Sequence, residues 1–202
     1  MDKYLILLAG SPATGKSYLV NQIKQVLPDI FSITPDEIKE ILADSVGFNN
    51  LAEKKELEKE VWKFYYQVLG LYMGIGKRFI LSEYPFSDKQ KQQLVELTTT
   101  YDYQVITIRL VSDFEKLWAR RKLRDVQSDR HLSHISTHYH FGDQLENRAL
   151  ADDLITKEAF KKIIEERQYN HFSLGALYEY DVSDFSKVDY TGLLQKLANL
   201  NT

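Results

Sequence analysis

One eight-residue run constrains this chain most: Gly10-Ser11-Pro12-Ala13-Thr14-Gly15-Lys16-Ser17, set between an apolar stretch and an amphipathic one. Tyr4 to Ala9 is continuously apolar, the composition of a strand covered on both faces. From Lys16 to Leu27, the residues Leu19, Ile23, Val26 and Leu27 recur at helical spacing, and Pro28 stops the helix. A strand, a turn bounded by glycines and a helix entered at Lys-Ser match the pattern G-x-x-x-x-G-K-[ST]. The glycines permit a turn that aims successive backbone N–H groups inward as an anion nest. The helix presents its free N–H groups and positive dipole end to the same point. The expected ligand is the polyphosphate of ATP. Gly10, Ser11, Pro12, Ala13, Thr14, Gly15, Lys16, Ser17 and Tyr18 would form its cradle, with Lys16 on the β- and γ-phosphates and the Ser17 hydroxyl on Mg²⁺. The alternative is a glycine-rich strand–helix turn without a ligand.

Strand-like and helix-like segments alternate over the remaining sequence, which predicts an α/β fold with a mostly parallel sheet. Strands are expected at 30–33, 79–82, 105–111 and near 177–182. Thr34 reads as an N-cap, with Pro35 at the first helical position and Glu37 three residues after the cap, opening a helix to about Asp44. A long helix is predicted from Leu51 to Met73, with Leu57, Val61, Phe64, Val68, Leu71 and Ile75 as one apolar stripe facing the core; a dimer seam is the alternative. Further helices are expected at 87–99, 113–124, 156–169 and 189–200. Residues 125–150 are polar and carry no clear periodicity. Without repeats or Pro/Gly-rich linkers, residues 1–202 read as a single domain, a three-layer αβα arrangement with five parallel strands and a site at their carboxyl ends.

Composition narrows the setting. The chain has no cysteine, which excludes disulfides, thiolate metal sites and cysteine nucleophiles and leads to the expectation of a cytoplasmic protein. Its apolar segments are too short to span a bilayer. A formal net charge of −3 argues against broad coating of nucleic acid or anionic membrane, while leaving room for a local basic site. No Asn-Lys-x-Asp segment, which reads guanine in GTPases, is present.

Asp36 lies twenty residues after Lys16, in Thr34-Pro35-Asp36-Glu37-Ile38-Lys39, and a basic helical run, Phe114 to Arg124, follows the fourth strand. With the Gly10–Ser17 run, these segments resemble the small P-loop kinases, in particular the polynucleotide-kinase-like and zeta-toxin-like group. That resemblance implies the sheet order 2-3-1-4-5 and a lid and substrate region over about 113–150. It implies that Asp36 meets an acceptor hydroxyl as general base or orienter, and that Arg120 and Arg124 of the lid helix stabilise charge on the transferring phosphoryl group. Lys39 stands where the group usually has Arg, which bears on how the acceptor is held. The bland readings are a carboxylate favouring a helix N-terminus for Asp36, and a solvated basic face paired with Asp113 and Asp125 for the arginines. Glu83, closing the third strand, is a candidate for holding Mg²⁺-bound water, or simply marks a strand end. Asp181-Val182-Ser183-Asp184 resembles the loop that meets the nucleotide base.

Four of five histidines fall in ten residues: His131, His134, His138 and His140. A metal site, a substrate-contacting loop led by His131 and His134, and an exposed polar loop are the three readings. The sequence thus predicts an ATP- and Mg²⁺-dependent kinase acting on a hydroxyl-bearing acceptor. A nucleotide-binding regulator without an acceptor and a polynucleotide 5′-hydroxyl kinase are the alternatives.

Overall fold

The computed structural model describes residues 1–201. Its centre is β1 (Tyr4–Gly10), buried along its whole length as the unbroken apolar run requires. It pairs in parallel with β3 (Phe79–Glu83) on one side and β4 (Gln104–Val111) on the other. β2 (Phe31–Ile33) extends the sheet beyond β3, and β5 (Ala176–Asp181) extends it beyond β4, both in parallel. The order is β2-β3-β1-β4-β5, as expected.

Side chains alternate across a strand, so β1 feeds two cores. Ile6 and Leu8 pack with Leu19 and Ile23 of α1 (Lys16–Val26) and Leu193 and Leu197 of α7 (Thr191–Asn199). Leu5, Leu7 and Ala9 face the opposite layer. There they meet Ile38 of α2 (Pro35–Val46), Val61, Tyr65 and Leu69 of α3 (Leu51–Gly74), and Leu94 of α4 (Asp88–Tyr101). The result is a three-layer domain with helices on both faces of one sheet.

Two helices begin where their caps dictate: the Thr34 side chain accepts the Glu37 N–H at 3.0 Å and the Asn50 side chain accepts that of Glu53 at 3.0 Å. The stripe predicted for α3 needs correction. The buried line is Val61, Tyr65, Leu69 and Met73, whereas Phe64, Leu71 and Ile75 are 49%, 61% and 71% exposed. The predicted residues follow a 3.5-residue repeat that passes over Tyr65 and Leu69. The strand-facing line follows i,i+4 through Tyr65, whose hydroxyl donates to Ser82 of β3 at 2.8 Å inside the core.

α5 (Phe114–Asp125) and α6 (Lys157–Arg167) meet through Phe114 and Phe160, ring centroids 5.9 Å apart. Between them, residues 126–156 contain two single 3₁₀ turns, Leu132–His134 and Arg148–Leu150, and are fastened to the α2–α3 hairpin. Leu132, Ile135 and Tyr139 form a third core with Ala43 and Phe48. Phe48 and Tyr139 exchange two backbone hydrogen bonds of 2.8 Å, and the Lys54 amine reaches Asp153 at 2.6 Å and donates to the Ser136 carbonyl at 2.9 Å. No helix among the described residues is long and apolar enough to cross a membrane.

Candidate active site

The carboxyl ends of β1, β2 and β3 open into a cleft of about 610 Å³. The loop at the end of β1 depends on its glycines. Gly10 has φ 125°, and a Cβ there would lie 2.2 Å from the Leu110 carbonyl oxygen, so no side chain fits. Ala13 (φ 70°) and Gly15 (φ 80°) also take left-handed conformations, and the Thr14 hydroxyl donates to the Ser11 carbonyl at 2.9 Å. Lys16 is 6% exposed and donates to the carbonyls of Gly10 and Ser11, both at 3.1 Å. Burial lowers its pKa to about 8, against the pull of Glu83 and Asp36.

Ser17 donates to Glu83 at 2.8 Å. Register explains the meeting: Glu83 closes β3 opposite Leu8 of β1, and the loop after Gly10 leads into α1, which carries Ser17, at the same end of the sheet. Burial raises the pKa of Glu83, while Lys16 and the Ser17 hydroxyl act in the other direction. The donor set fits Mg²⁺, which favours one or two carboxylates completed by water and substrate phosphates. Asp36, in the first turn of α2, lines the same cleft. Lys39 lines it too, but its amine is held by Glu58 of α3 at 2.5 Å, so its charge is already matched.

The expected pair of lid arginines is divided. Arg124 lines the cleft. Arg120 turns to the loop after β5, donating to the Ser183 carbonyl at 2.9 Å and lying 3.7 Å from the centre of the Phe185 ring. Four-residue spacing put both on one helix face, but long side chains follow their nearest partners, and those differ. The cleft instead gains Arg121 and Arg130. Both gather with Arg124 around Asp125, whose side chain is 4% exposed, at 2.7 Å (Arg121), 3.3 Å (Arg124) and 3.8 Å (Arg130). One carboxylate cannot neutralise three guanidinium groups. The Nε groups of Arg124 and Arg130 are buried without a hydrogen-bond partner, an arrangement suited to an incoming anion. Burial and the Arg124 charge lower the pKa of Arg130 to about 10.

His134 lines the cleft, with Nε2 2.7 Å from Glu40. Burial, then the charge of Arg130, depress its pKa far below the usual imidazole range. His131 does not reach the cleft. Its Nε2 lies 3.0 Å from Asp44 and its Nδ1 2.8 Å from the Ser133 hydroxyl, so both ring nitrogens fasten the 126–156 segment. His138 lies 3.5 Å from Asp152 and His140 3.0 Å from Asn49. No group of three or more metal-ligating side chains occurs among the described residues, so these imidazoles are not gathered for a metal. On the far side of the Gly10–Ser17 loop, Phe185 rests against Gly15, and a pocket of about 500 Å³ opens between Tyr18, Phe185 and Tyr190.

The sequence points to the basic run from Arg120 to Arg130 only as a whole, in support of a polynucleotide kinase, and does not single out Arg121, Arg130, Phe185, Tyr84 or Tyr169 for the site. Only Arg121 carried a local signal, its i,i+4 spacing to Asp125. The others arrive through tertiary contacts.

No family model matches the chain, and no curated protein does. Solved structures do. A candidate kinase from Chloroflexus aurantiacus J-10-fl superposes with a TM-score of 0.75 at 20% identity, over 98% of both chains. The tunicamycin resistance protein of Deinococcus radiodurans gives 0.54 at 14% identity, over 98% of this chain and 95% of that one. At such identities the likeness is one of architecture: the chain shares with them a three-layer α/β fold, here built on a five-stranded parallel sheet ordered β2-β3-β1-β4-β5.

Proposed function

We propose that the protein is a phosphotransferase that binds ATP at residues 10–17 and moves its γ-phosphoryl group to a hydroxyl of a small acceptor. The observation that carries this reading is the convergence of Lys16, the Ser17–Glu83 pair, Asp36 and the Arg124–Arg130 cluster on one cleft. Asp36 accepts the proton of the acceptor hydroxyl, whose oxygen forms a bond to the γ-phosphorus as the bond to the β-phosphate oxygen breaks and ADP departs. Lys16, Arg124 and Arg130 supply positive charge to the equatorial and bridging oxygens. Ser17 and Glu83 would hold Mg²⁺, which would supply positive charge to the polyphosphate. The base of the nucleotide lies on the Tyr18–Phe185 side, where Arg120 fixes the loop after β5.

The test is Mg·ATP consumption against a panel of hydroxyl-bearing acceptors, with Lys16→Ala as the blank. One compound class stimulates turnover strongly in the wild type. Asp36→Asn keeps ATP binding and loses about 10²- to 10⁴-fold in kcat, the usual worth of a general base. ATP binding without stimulation by any acceptor would point to a regulator instead, and a fully active Asp36→Asn would remove the general base.

A further inference from the structure

Outside the cleft, a groove of about 900 Å³ runs between α3, the start of α4 and the end of α6. It is continuous with the cleft, because Tyr84, Pro85 and Tyr169 line both. Its wall is aromatic: Trp62 stands edge-on to Tyr84 with centroids 5.0 Å apart, and 5.7 Å from Tyr66. Burial raises the phenol of Tyr66 to about 12 and also raises Tyr84, where Asp36 adds to the effect; the phenols therefore stay neutral donors beside the proposed base.

The charges along the groove do not balance. Glu58 is its single lining carboxylate, and Lys39 holds it at 2.5 Å. Lys59 and Lys63 are matched across a helical turn by Glu56 and Glu60. Lys55, Lys89 and Arg167 have no ion-pair partner among the described residues. Lys55 and Lys89 are exposed and Arg167 is half-buried, so a neutral acceptor would leave all three to water while an anion would give them a partner, and an anion without a ring would leave the aromatic wall bare. Aromatic faces flanked by cations suit a planar group bearing negative charge, and the volume is in the range of small-molecule sites.

We propose that this groove is the acceptor subsite, and that the acceptor is an anionic compound with a planar ring. Its hydroxyl is presented at Asp36, its ring lies on the Trp62–Tyr84 wall, and its anionic group meets Lys55, Lys89 and Arg167. The assignment rests on the phosphotransferase reading, so its test pairs a binding measurement that needs no turnover with one that does.

For binding, Trp118→Phe leaves Trp62 as the sole tryptophan. Phenyl phosphate carries ring and charge, phenyl β-glucoside the ring alone, and glucose 6-phosphate the charge alone. Phenyl phosphate should quench Trp62 saturably and bind about tenfold more tightly than either of the others. Lys89→Glu combined with Arg167→Gln should erase that advantage, whereas Lys16→Ala should keep it. Equal quenching by the neutral glucoside, no quenching, or quenching unmoved by the Lys89/Arg167 changes would overturn the proposal.

For turnover, Mg·ATP consumption is compared on anionic and neutral aryl glycosides. The Lys89/Arg167 variant should raise KM for the anionic members about tenfold while kcat stays within about twofold. Charge-dependent quenching without consumption on any member would sink the kinase reading and leave the groove as an anion-and-ring site. Consumption that favours neutral acceptors and ignores the Lys89/Arg167 changes would sink the groove and leave the kinase.

Discussion

With its amine folded onto two carbonyls of its own loop and its pKa lowered to about 8, Lys16 gives the site a pH response whose sign can be worked out. The unfolded amine titrates near 10.5, so between about 8 and 10.5 the folded state binds fewer protons. The cost of burying the charged amine, present in full below 8, is therefore relieved as pH rises through this window. Phosphate binding needs the charge and moves the other way. ATP affinity should fall as pH rises above about 8, and binding there should take up close to one proton. Calorimetry in two buffers of different ionisation enthalpy checks this, and Lys16→Ala should abolish the uptake. At this scale the sequence was most informative where the chemistry is contiguous. Gly10, Lys16 and Ser17 sit in one run, and Asp36 follows directly from the end of β2. Arg121 lies one helical turn from the buried carboxylate of Asp125, but Arg130 reaches it only across an irregular loop, so their meeting there was not legible.

The existence and type of each strand and of the longer helices followed from periodicity and caps, and the predicted ends lie close to those observed. The inward face of α3 did not. Phe64, Leu71 and Ile75 satisfy a heptad, yet the sheet selects Val61, Tyr65, Leu69 and Met73, because a tyrosine can be buried when its hydroxyl finds a partner. Stability measurements separate the two lines. Tyr65→Ala, at a site with no exposure, should cost about 3–5 kcal/mol, and Tyr65→Phe about 1–2 kcal/mol because Ser82 loses its donor. Phe64→Ala should fall within about 1 kcal/mol of wild type. Urea titrations report all three; a Phe64 loss equal to that of Tyr65→Ala would mean that the heptad face is covered in solution.

At the scale of the whole molecule, the five-stranded scaffold was legible and the strap of residues 126–156 was not. Its fastenings join positions 82 to 99 residues apart, such as Lys54 with Ser136 and Asp153 and Asp44 with His131, and no local pattern announces them. The strap supplies both Arg130 and His134 to the cleft, so the site is complete only while it is docked. Docking should therefore respond to pH. His134 faces Glu40, with Arg130, Asp36, Lys39 and Arg124 also acting on it, and burial with the nearby arginines keeps it neutral in the fold. Unfolded, it titrates near 6.5 and binds a proton that the native state refuses. The sign follows: stability falls as pH drops below about 6.5, by up to about 1.4 kcal/mol per unit. Asp44 adds a further loss at lower pH, since the hydrogen bond from Tyr139 holds its carboxyl below the usual 3.8. His134→Gln keeps a group able to donate to Glu40 but cannot titrate, so it should flatten the slope between pH 6.5 and 5 while leaving the Asp44 loss in place. Urea titrations at pH 7, 6 and 5 measure the slope, and amide exchange over 126–156 and α2 reports whether the strap is the part that loosens. Equal slopes in the two proteins would show that the buried imidazole does not govern the docking.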